Sequence, residues 1–270
     1  MNPDIIRHGD FPGHDTSAAA VEFRSVSKFY SRHQAALSDV TFQVEQAETL
    51  VLLGSSGSGK TTSLKMINRL VEPDEGVVLV AGREVREWDP IRLRRRVGYV
   101  IQEVGLLPHM TVEENISLVP RLEGWNEARR RARSRELLEL VGLSPREFLG
   151  QRPSQLSGGQ KQRVGVARAL ANDPPVLLMD EPFGALDPIT RRRLQDEFRR
   201  LERELGKTVV FVTHDVVEAM RLADRVAVMN RGQIVQIGTP REILEEPADE
   251  FVREFVRLDV LSESDLLDHQ

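Results

Sequence analysis

A glycine-rich loop near the start of the chain lies between a short apolar segment and a stretch with helical spacing. The apolar segment, Thr49–Leu53, predicts a buried strand, and Leu64, Ile67 and Leu70 predict a helix over Thr62–Leu70. The loop between them follows the pattern Gly-x-x-x-x-Gly-Lys-[Ser/Thr]. A strand, this loop and a helix in succession are typical of a site that binds nucleotide phosphates.

Each residue type in the loop contributes to holding phosphate. The glycines let the backbone wrap around phosphate oxygens, and the amides at the start of the following helix supply donors and a partial positive charge. Lys60 adds a point charge for the β- and γ-phosphates, and the Thr61 hydroxyl suits Mg²⁺, which prefers oxygen ligands. The alternative, a Ser/Gly-rich turn, gives no reason for a lysine at the end of the loop. The predicted phosphate-binding residues are Gly54, Ser55, Gly57, Ser58, Gly59, Lys60, Thr61 and Thr62.

Two acidic residues end a second apolar strand. Residues 176–179 precede Asp180 and Glu181, which places both carboxylates at the carboxyl edge of a parallel sheet, beside the phosphate loop. We expect Asp180 to hold Mg²⁺ through its water shell and Glu181 to polarise the attacking water as general base. His214 follows another strand end, and there we interpret it as a group that reaches the γ-phosphate and the water, in preference to a structural histidine.

The remaining pattern divides the chain into segments. Residues 1–20 lack apolar periodicity, short alternating stretches over 21–51 predict antiparallel strands, and residues 111–170 are mostly helical by pattern. Strands on both sides of a helix over 188–205 show the alternation of a parallel sheet covered by helices. We predict a disordered tail (1–20), a nucleotide-binding domain (21–246) with a helical subdomain at about 103–170, and a C-terminal helix with an acidic tail (247–270).

Composition limits the classes of protein that fit. The chain has 270 residues, a hydrophobic share of 40% and no cysteine, so it can bury a sizeable core but form no disulfide or thiolate metal site. No run reaches the ~20 apolar residues that a membrane helix requires, and the first residues lack a secretory signal. We therefore expect a cytoplasmic protein. The formal net charge of −5 argues against binding nucleic acid by phosphate neutralisation.

These motifs, together with Leu-Ser-Gly-Gly-Gln at 156–160, resemble the ATP-binding cassette ATPases, the nucleotide-binding subunits of ABC transporters, over residues 21–255. The resemblance implies an α/β P-loop NTPase core with an antiparallel β subdomain and a helical subdomain, and it implies ATP and Mg²⁺ as ligands. It also implies an ATP-dependent, head-to-tail homodimer. In that dimer the residues of one subunit that face the γ-phosphate held by the other are Ser157, Gly158, Gly159 and Gln160.

Three further segments are similar to motifs of this family. Gln102 resembles the Q-loop residue, which ligates Mg²⁺ and senses the transmembrane partner, and it joins Glu181 and His214 as the expected catalytic residues. Tyr30 resembles the aromatic residue that stacks on adenine, while a core aromatic residue at a strand end is the alternative. Residues 185–187, Ala-Leu-Asp, resemble the D-loop that crosses the dimer interface.

The stretch from Gln102 to Trp125 narrows the resemblance to one group of importers. It contains Gln-Glu-Val-Gly-Leu-Leu-Pro-His-Met-Thr at 102–111 and is similar to the glycine betaine, choline and carnitine importers. That resemblance implies separate permease subunits contacted around Gln102–Trp125, a separate substrate-binding protein or domain, and a peripheral position on the inner face of the cell membrane. Because the sequence stops at Gln270, we expect none of the regulatory domains that follow the ATPase in many members. Two alternatives stay open: a subunit for another solute, such as an amino acid or a lipid, and a soluble ABC ATPase without a permease.

Two charged features need separate interpretation. The basic segment 129–135 is interpreted as a solvated helix face, in preference to a contact with anionic lipid headgroups. Apart from His214, the histidines show no ligand spacing, so no metal site is expected at His8 and His14.

Overall fold

A computed structural model describes residues 18–31, 34–102, 105–184 and 186–257. Residues 1–17 of the predicted tail, with His8 and His14, lie outside these residues, as do Ala185 and the acidic end after residue 257. The strands are β1 (Val21–Ser31), β2 (Gln34–Val44), β3 (Thr49–Leu53), β4 (Glu75–Val80), β5 (Arg83–Glu84), β6 (Val97–Val100), β7 (Val176–Asp180), β8 (Thr208–Thr213), β9 (Arg225–Asn230) and β10 (Gln233–Gly238). The α-helices are α1 (Lys60–Ile67), α2 (Pro90–Arg96), α3 (Val112–Ile116), α4 (Leu118–Leu122), α5 (Glu127–Leu140), α6 (Pro145–Phe148), α7 (Gly158–Leu170), α8 (Pro188–Leu205), α9 (Val216–Leu222) and α10 (Pro240–Glu245).

The chain forms two compact units. We call Ile91–Lys207 the inserted unit, and we call the segments on either side of it, Asp15–Pro90 and Thr208–Gln270, the flanking unit. The flanking unit contains an antiparallel sheet with strand order β2-β1-β4-β5, as the alternating stretches predicted. Its other strands have the order β10-β9-β3-β8, in which β3 runs parallel to both β8 and β9.

Strand β3 is a nearly continuous apolar segment because it lies in the core of the flanking unit. Every residue of Thr49–Leu53 is buried, because the strand has a neighbour on each side and side chains packed on both faces. In the antiparallel sheet, Phe23 and Phe42 stack with their ring centroids 4.4 Å apart. The phosphate loop therefore follows a rigid, fully buried strand.

The inserted unit has a parallel strand pair, β6 and β7, and seven α-helices among its described residues, α2 to α8. The predicted helical character of residues 111–170 is confirmed, since α3 to α7 lie there. Helix α8 has the predicted bounds: Pro188 occupies its first turn, and Gly206 ends it in the left-handed conformation with φ 57°. The predicted bounds of the helical subdomain remain a prediction.

Two local predictions differ in outcome. Helix α1 ends at Ile67, three residues before the predicted end, because Arg69 takes a left-handed φ of 53° and stops the helix. The sequence also predicts a hairpin pair of strands over 226–229 and 233–237, around Arg231-Gly232. This pair is confirmed as β9 and β10, with Arg231 (φ 46°) and Gly232 (φ 79°) in the left-handed turn that suits the twist of a hairpin. Residues 250–257 are helical. In the described part of the chain, no helix has both the length and the apolar character needed to span a bilayer.

Candidate functional site

The phosphate loop lies in the flanking unit, between β3 and α1, as predicted. Gly59 is the N-cap residue of α1 with φ 105°, and no side chain caps this helix. The first amides of an α-helix have no acceptor within the helix. An anion placed at the start of α1 would accept hydrogen bonds from these amides and meet the positive end of the helix dipole.

Two of the loop glycines are required by close backbone contacts. A Cβ atom on Gly54 would lie 2.3 Å from the carbonyl oxygen of Met229, and one on Gly59 would lie 2.6 Å from the carbonyl oxygen of Ala36. Gly57 has φ 79°, and a Cβ atom there would meet nothing within 4 Å. Gly54 and Gly59 therefore exclude a side chain by contact, whereas Gly57 requires glycine for its backbone angle alone.

The ammonium group of Lys60 lies inside the loop. The residue is only 5% exposed, and its Nζ donates to the carbonyl oxygens of Gly54 (2.7 Å) and Ser55 (2.8 Å), with Ser58 Oγ at 3.5 Å. A buried ammonium group held by main-chain oxygens is positioned to attract an anion to the loop. This geometry fits the phosphate chain of a nucleotide.

His214 leaves the sheet of the flanking unit at the same edge as the phosphate loop. The parallel register aligns Leu53 of β3 with Thr213 of β8, so the next residue along each strand emerges at one edge. His214 is exposed. The neighbouring Asp215 has a structural role, because its carboxylate accepts a hydrogen bond from the amide of Glu218 at 2.9 Å and so caps α9.

Tyr30 lies near the end of β1 and is 61% exposed, so the alternative of a core aromatic residue is wrong. The preceding residue, Phe29, is 45% exposed. An exposed ring at a strand end is available for stacking on a planar ligand. Stacking on adenine stays a prediction.

In the inserted unit, Gln102 and the two acidic residues emerge at one edge of the β6–β7 pair. The register aligns Val100 with Met179, and the side-chain Nε2 of Gln102 donates to Glu181 Oε2 at 3.2 Å. Glu181 has a left-handed φ of 44°, which turns the chain sharply after β7. Gln102 and Glu181, both expected catalytic residues, are thus in direct contact.

Tyr99 is a neighbour of Asp180 that sequence reasoning missed. Asp180 is 7% exposed, and the Tyr99 hydroxyl donates to its Oδ2 at 3.4 Å. Burial, and secondly the nearby Asp180 carboxylate, raise the pKa of Tyr99 above its ordinary value. The phenol therefore stays a neutral donor that helps to orient the carboxylate.

The Leu-Ser-Gly-Gly-Gln string begins α7, as the resemblance implied. Ser157 is the N-cap residue: its Oγ accepts the amide of Gln160 at 3.3 Å, and Gln160 Oε1 accepts the amide of Ser157 at 2.8 Å. This capping box orients both side chains along the helix end. Ser157 and Gly158 are exposed, so this helix end can be approached by another molecule.

Arginines anchor α7 to its neighbours, and the sequence analysis did not identify them. Arg163 donates to the carbonyl oxygens of Val141 (3.0 Å) and Gly142 (3.3 Å) at the end of α5, and it pairs with Glu197 of α8 at 3.0 Å. Arg168 donates to the carbonyl oxygen of Gly105 at 2.7 Å. The helix that begins at Ser157 is thereby tied to α5, to α8 and to the segment that follows Gln102.

A third arginine makes the reverse contact, from α5 to the end of α7. Arg133 of α5 donates to the carbonyl oxygens of Leu170 (3.1 Å) and Ala171 (3.4 Å) at the end of α7, and pairs with Glu136. The interpretation of segment 129–135 as a wholly solvated face is therefore wrong for Arg133, whose side chain is 18% exposed. Its guanidinium satisfies carbonyl groups at a helix C-terminus, where positive charge is favourable.

A buried asparagine shapes the segment expected to contact a permease. Asn115 is fully buried; its Nδ2 donates to the carbonyl oxygens of Leu107, Met110 and Thr111, and its Oδ1 accepts the amide of Leu107. The hydrogen bonds of this one side chain therefore fix the backbone of the loop before α3. At the other end of the inserted unit, Asp187 caps α8 by accepting the amide of Thr190 at 3.0 Å. Hydrogen bonds from the side chain of Thr190, and secondly from its amide, lower the pKa of the Asp187 carboxyl.

Comparison with known proteins gives consistent matches. The ABC transporter family model matches residues 37–184. The glycine betaine/carnitine/choline transport ATP-binding protein OpuCA of Bacillus subtilis is 53% identical over 244 residues, which cover 90% of this chain and 64% of that protein. The glycine betaine uptake system ATP-binding protein YehX of Escherichia coli is 53% identical over 235 residues, covering 87% of this chain and 76% of that protein. The chain spans less than two thirds of the length of several of these relatives.

A solved structure agrees with the fold. The dimeric, post-hydrolysis structure of the ATP-binding cassette MJ0796 bound to ADP and Pi has a TM-score of 0.74 and 36% identity, covering 82% of this chain and 99% of the other. This likeness confirms the predicted α/β fold class with its antiparallel sheet.

Proposed function

The chain belongs to the ABC transporter family, and we propose that it binds and hydrolyses ATP as the energising subunit of an importer for a quaternary-amine osmoprotectant, such as glycine betaine or choline. The observation that carries the proposal is the buried Lys60 ammonium inside a glycine loop at the start of a helix. The solute class is supported by the names of the relatives in Bacillus subtilis and Escherichia coli, which refer to glycine betaine, carnitine and choline.

Nucleotide binding follows from the loop geometry. The residues Gly54 to Thr62 wrap the phosphates, with the amides at the start of α1 as donors and Lys60 as the cation for the β- and γ-phosphates. The exposed ring of Tyr30 stacks on the adenine. The charge and shape of the loop thus select a nucleoside triphosphate.

Hydrolysis is assigned to the residues at the carboxyl ends of β6, β7 and β8. Glu181 takes a proton from water as the water oxygen attacks the γ-phosphorus, and the bond to the leaving oxygen of ADP breaks. Gln102 already donates to the Glu181 carboxylate at 3.2 Å, which holds that carboxylate in one orientation. His214 donates to a γ-phosphate oxygen and so stabilises the charge on the transferred group.

The residues assigned to Mg²⁺ offer the oxygen atoms that this ion prefers. They are the Thr61 hydroxyl, the Gln102 amide oxygen and, through water, the Asp180 carboxylate. When bound, Mg²⁺ neutralises charge on the phosphate oxygens. The hydroxyl of Tyr99 holds Asp180 by a 3.4 Å hydrogen bond, which orients that carboxylate.

We assign the exposed start of α7 to a second copy of this chain. In a head-to-tail homodimer, Ser157, Gly158, Gly159 and Gln160 of one copy contact the γ-phosphate bound by the other. ATP binding then favours the closed dimer and loss of the γ-phosphate contacts reopens it. Permease subunits contact the region around Gln102–Trp125 at the inner face of the membrane, and a substrate-binding protein or domain selects the solute.

The catalytic assignment is tested with Glu181→Gln. Nucleotide affinity should stay within about twofold, while Mg·ATP hydrolysis should fall by about 10²- to 10⁴-fold because the base is removed. A matched control is Glu204→Gln, since Glu204 is exposed on α8 and forms a surface pair with Arg200. Normal turnover in the Glu181 variant, with the control unchanged, would exclude Glu181 as the base.

The transport assignment is tested separately. Cells at high external osmolarity that carry the chain, or its Glu181→Gln variant, are assayed for uptake of labelled glycine betaine and choline. Loss of uptake only in the variant supports the quaternary-amine importer. Unchanged uptake together with lost hydrolysis would reject the solute class but retain the ATPase.

A further inference from the structure

The end of β1 is held by the side chain of Asp74, which lies directly before β4. Its Oδ2 accepts a hydrogen bond from the amide of Phe29 at 2.7 Å, and its Oδ1 accepts one from Lys28 Nζ at 2.9 Å. The amide of Asp74 donates to the carbonyl oxygen of Ser27 at 3.0 Å. The bond from the Phe29 amide, and secondly that from Lys28, lower the pKa of the Asp74 carboxyl, so it is ionised at neutral pH. Asp74 therefore binds the residues that lead directly to Tyr30.

This carboxylate takes the place of a strand partner. The pairing of β1 with β4 ends where Ser27 lies opposite Glu75, whereas β1 continues to Ser31. Strand β4 offers no residue opposite Phe29, and the amide of Phe29 binds the carboxylate instead. A hydrogen bond from an amide to a carboxylate is shorter and stronger than one between two neutral groups. The end of β1 is thus fixed beyond the edge of its neighbour strand.

The turn that carries Asp74 is itself fixed within the flanking unit. On one side of it, the guanidinium of Arg86 donates to the carbonyl oxygen of Pro73. On the other side, a Cβ atom on Gly76 would lie 2.5 Å from the carbonyl oxygen of Arg24, so the chain packs directly against β1. The carboxylate therefore has a rigid support and can hold the strand end in one position.

The strand end that this carboxylate holds is joined to the phosphate loop through β2. Phe29 pairs with Ala35 of β2. The next residue, Ala36, has the carbonyl oxygen that a Cβ atom on Gly59 would meet at 2.6 Å. The exposed ring of Tyr30 therefore follows a segment that is one strand away from the loop, and a shift of this segment would move the ring relative to phosphates bound there.

We infer that Asp74 is a positioning residue for the base of the nucleotide: it fixes the end of β1 so that the Tyr30 ring is in place to stack on adenine while the phosphates lie in the loop. The inference rests on the stacking proposed above for Tyr30. A strand end that is already fixed presents its ring at a lower entropy cost of binding than a strand end that must first be ordered. Asp74 acts through the backbone of Phe29, so its removal affects the binding of the base and spares the binding of the phosphates.

Calorimetric titration with ATP and with inorganic tripolyphosphate separates these two parts of the ligand. Mg²⁺ is left out so that ATP is not hydrolysed. Asp74→Ala should weaken ATP binding about tenfold, the scale of one contact between a base and an aromatic ring, and should leave the affinity for tripolyphosphate unchanged. Tyr30→Ala should show the same pattern. In the Tyr30→Ala background, Asp74→Ala should cause no further loss, because both variants remove the same contact.

The matched control is Glu75→Ala, which removes the same charge from the adjacent exposed position and should leave both affinities unchanged. Circular dichroism verifies the folding of each variant. If Asp74→Ala does not fold, Asp74→Asn replaces it: the amide oxygen still accepts from Phe29, but the bond is weaker without the charge, so ATP affinity alone should fall, by a smaller factor.

The outcomes separate this inference from the proposed function. Unchanged ATP affinity in the Asp74 variant, while Tyr30→Ala weakens it, would overturn the inference and leave the stacking of Tyr30 intact. Equal losses for ATP and tripolyphosphate, or additive losses in the double variant, would also overturn it, because Asp74 would then act on the fold or the phosphates. If Tyr30→Ala itself leaves ATP affinity unchanged, the stacking assignment fails and this inference fails with it.

Discussion

The phosphate loop offers a sharp test of the packing argument, because two of its glycines differ in whether an added Cβ atom would clash with its surroundings. Gly59 and Gly57 both have left-handed backbone angles, with φ 105° and φ 79°. A Cβ atom on Gly59 would lie 2.6 Å from the carbonyl oxygen of Ala36 and 2.6 Å from Leu37 Cδ2, whereas one on Gly57 would meet nothing within 4 Å. Alanine at Gly57 therefore adds backbone strain alone, and alanine at Gly59 adds strain and a clash.

The expected magnitudes follow from these two contributions. A left-handed alanine costs roughly 1–2 kcal/mol, and the lower entropy of the unfolded chain offsets about 0.4–1 kcal/mol of this. Gly57→Ala should thus lower the free energy of unfolding by about 1 kcal/mol. Gly59→Ala should lower it by about 2 kcal/mol more, since the Ala36 carbonyl belongs to β2 and an overpacked site costs about 1–3 kcal/mol.

Urea unfolding followed by tryptophan fluorescence measures the difference. The chain has two tryptophans, and Trp88, 7% exposed, lies in the same flanking unit as the loop. In a Trp125→Phe background the signal reports on that unit alone. With a urea m value of about 2 kcal/mol/M, the midpoints of the Gly57 and Gly59 variants should differ by about 1 M. Equal midpoints would refute the argument that close backbone contact requires glycine at Gly59.

Three further outcomes are expected. Asn115→Leu should lower the free energy of unfolding by about 2–4 kcal/mol, because it removes all hydrogen bonds that a fully buried amide makes to the loop before α3; a loss below about 1 kcal/mol in denaturant titration would contradict this. A double-mutant cycle with Arg163→Met and Glu197→Gln should give a coupling of about 1 kcal/mol, since the arginine side chain is 14% exposed and the glutamate 32%; a coupling of zero would show that the pair does not tie α7 to α8. In the Tyr30→Phe variant the remaining phenol, Tyr99, should titrate spectrophotometrically above the ordinary tyrosine range, because its pKa is raised in the folded state. The stability that this shift contributes is present below the unfolded pKa of about 10 and is lost as pH rises above it. Titration of Tyr99 in the ordinary tyrosine range in the folded chain would argue against its burial beside the Asp180 carboxylate.

Much of the fold could be predicted because its signals are local. Helix α8 was predicted with its bounds, since Pro188 and Gly206 mark its ends by their own backbone preferences. Helix α1 was predicted too long, because its end depends on the left-handed Arg69, a residue type that carries no such signal. The buried strands β3 and β7 were recognisable from apolar runs, which arise when both faces of a strand are covered, and β1 and β2 from alternating stretches.

The candidate site was predictable to the extent that it consists of short motifs. Gly54–Thr61 identifies a phosphate site by itself, because its consecutive amides, its glycines and one lysine form the whole phosphate-binding loop. Tyr99 and Arg163 carried no comparable signal. A tyrosine in a strand and an arginine on a helix look like many others in the sequence, and only their partners, Asp180 and Glu197, give them a role.

The sequence by itself determined the phosphate loop, the family and the order of strands and helices, because each depends on residues adjacent in the chain or repeated at a fixed period. The tertiary structure alone decided which carbonyl groups Arg163 and Arg133 satisfy. Such contacts join residues far apart in the chain. Their energy depends on distance and burial, which no local pattern of residue types specifies.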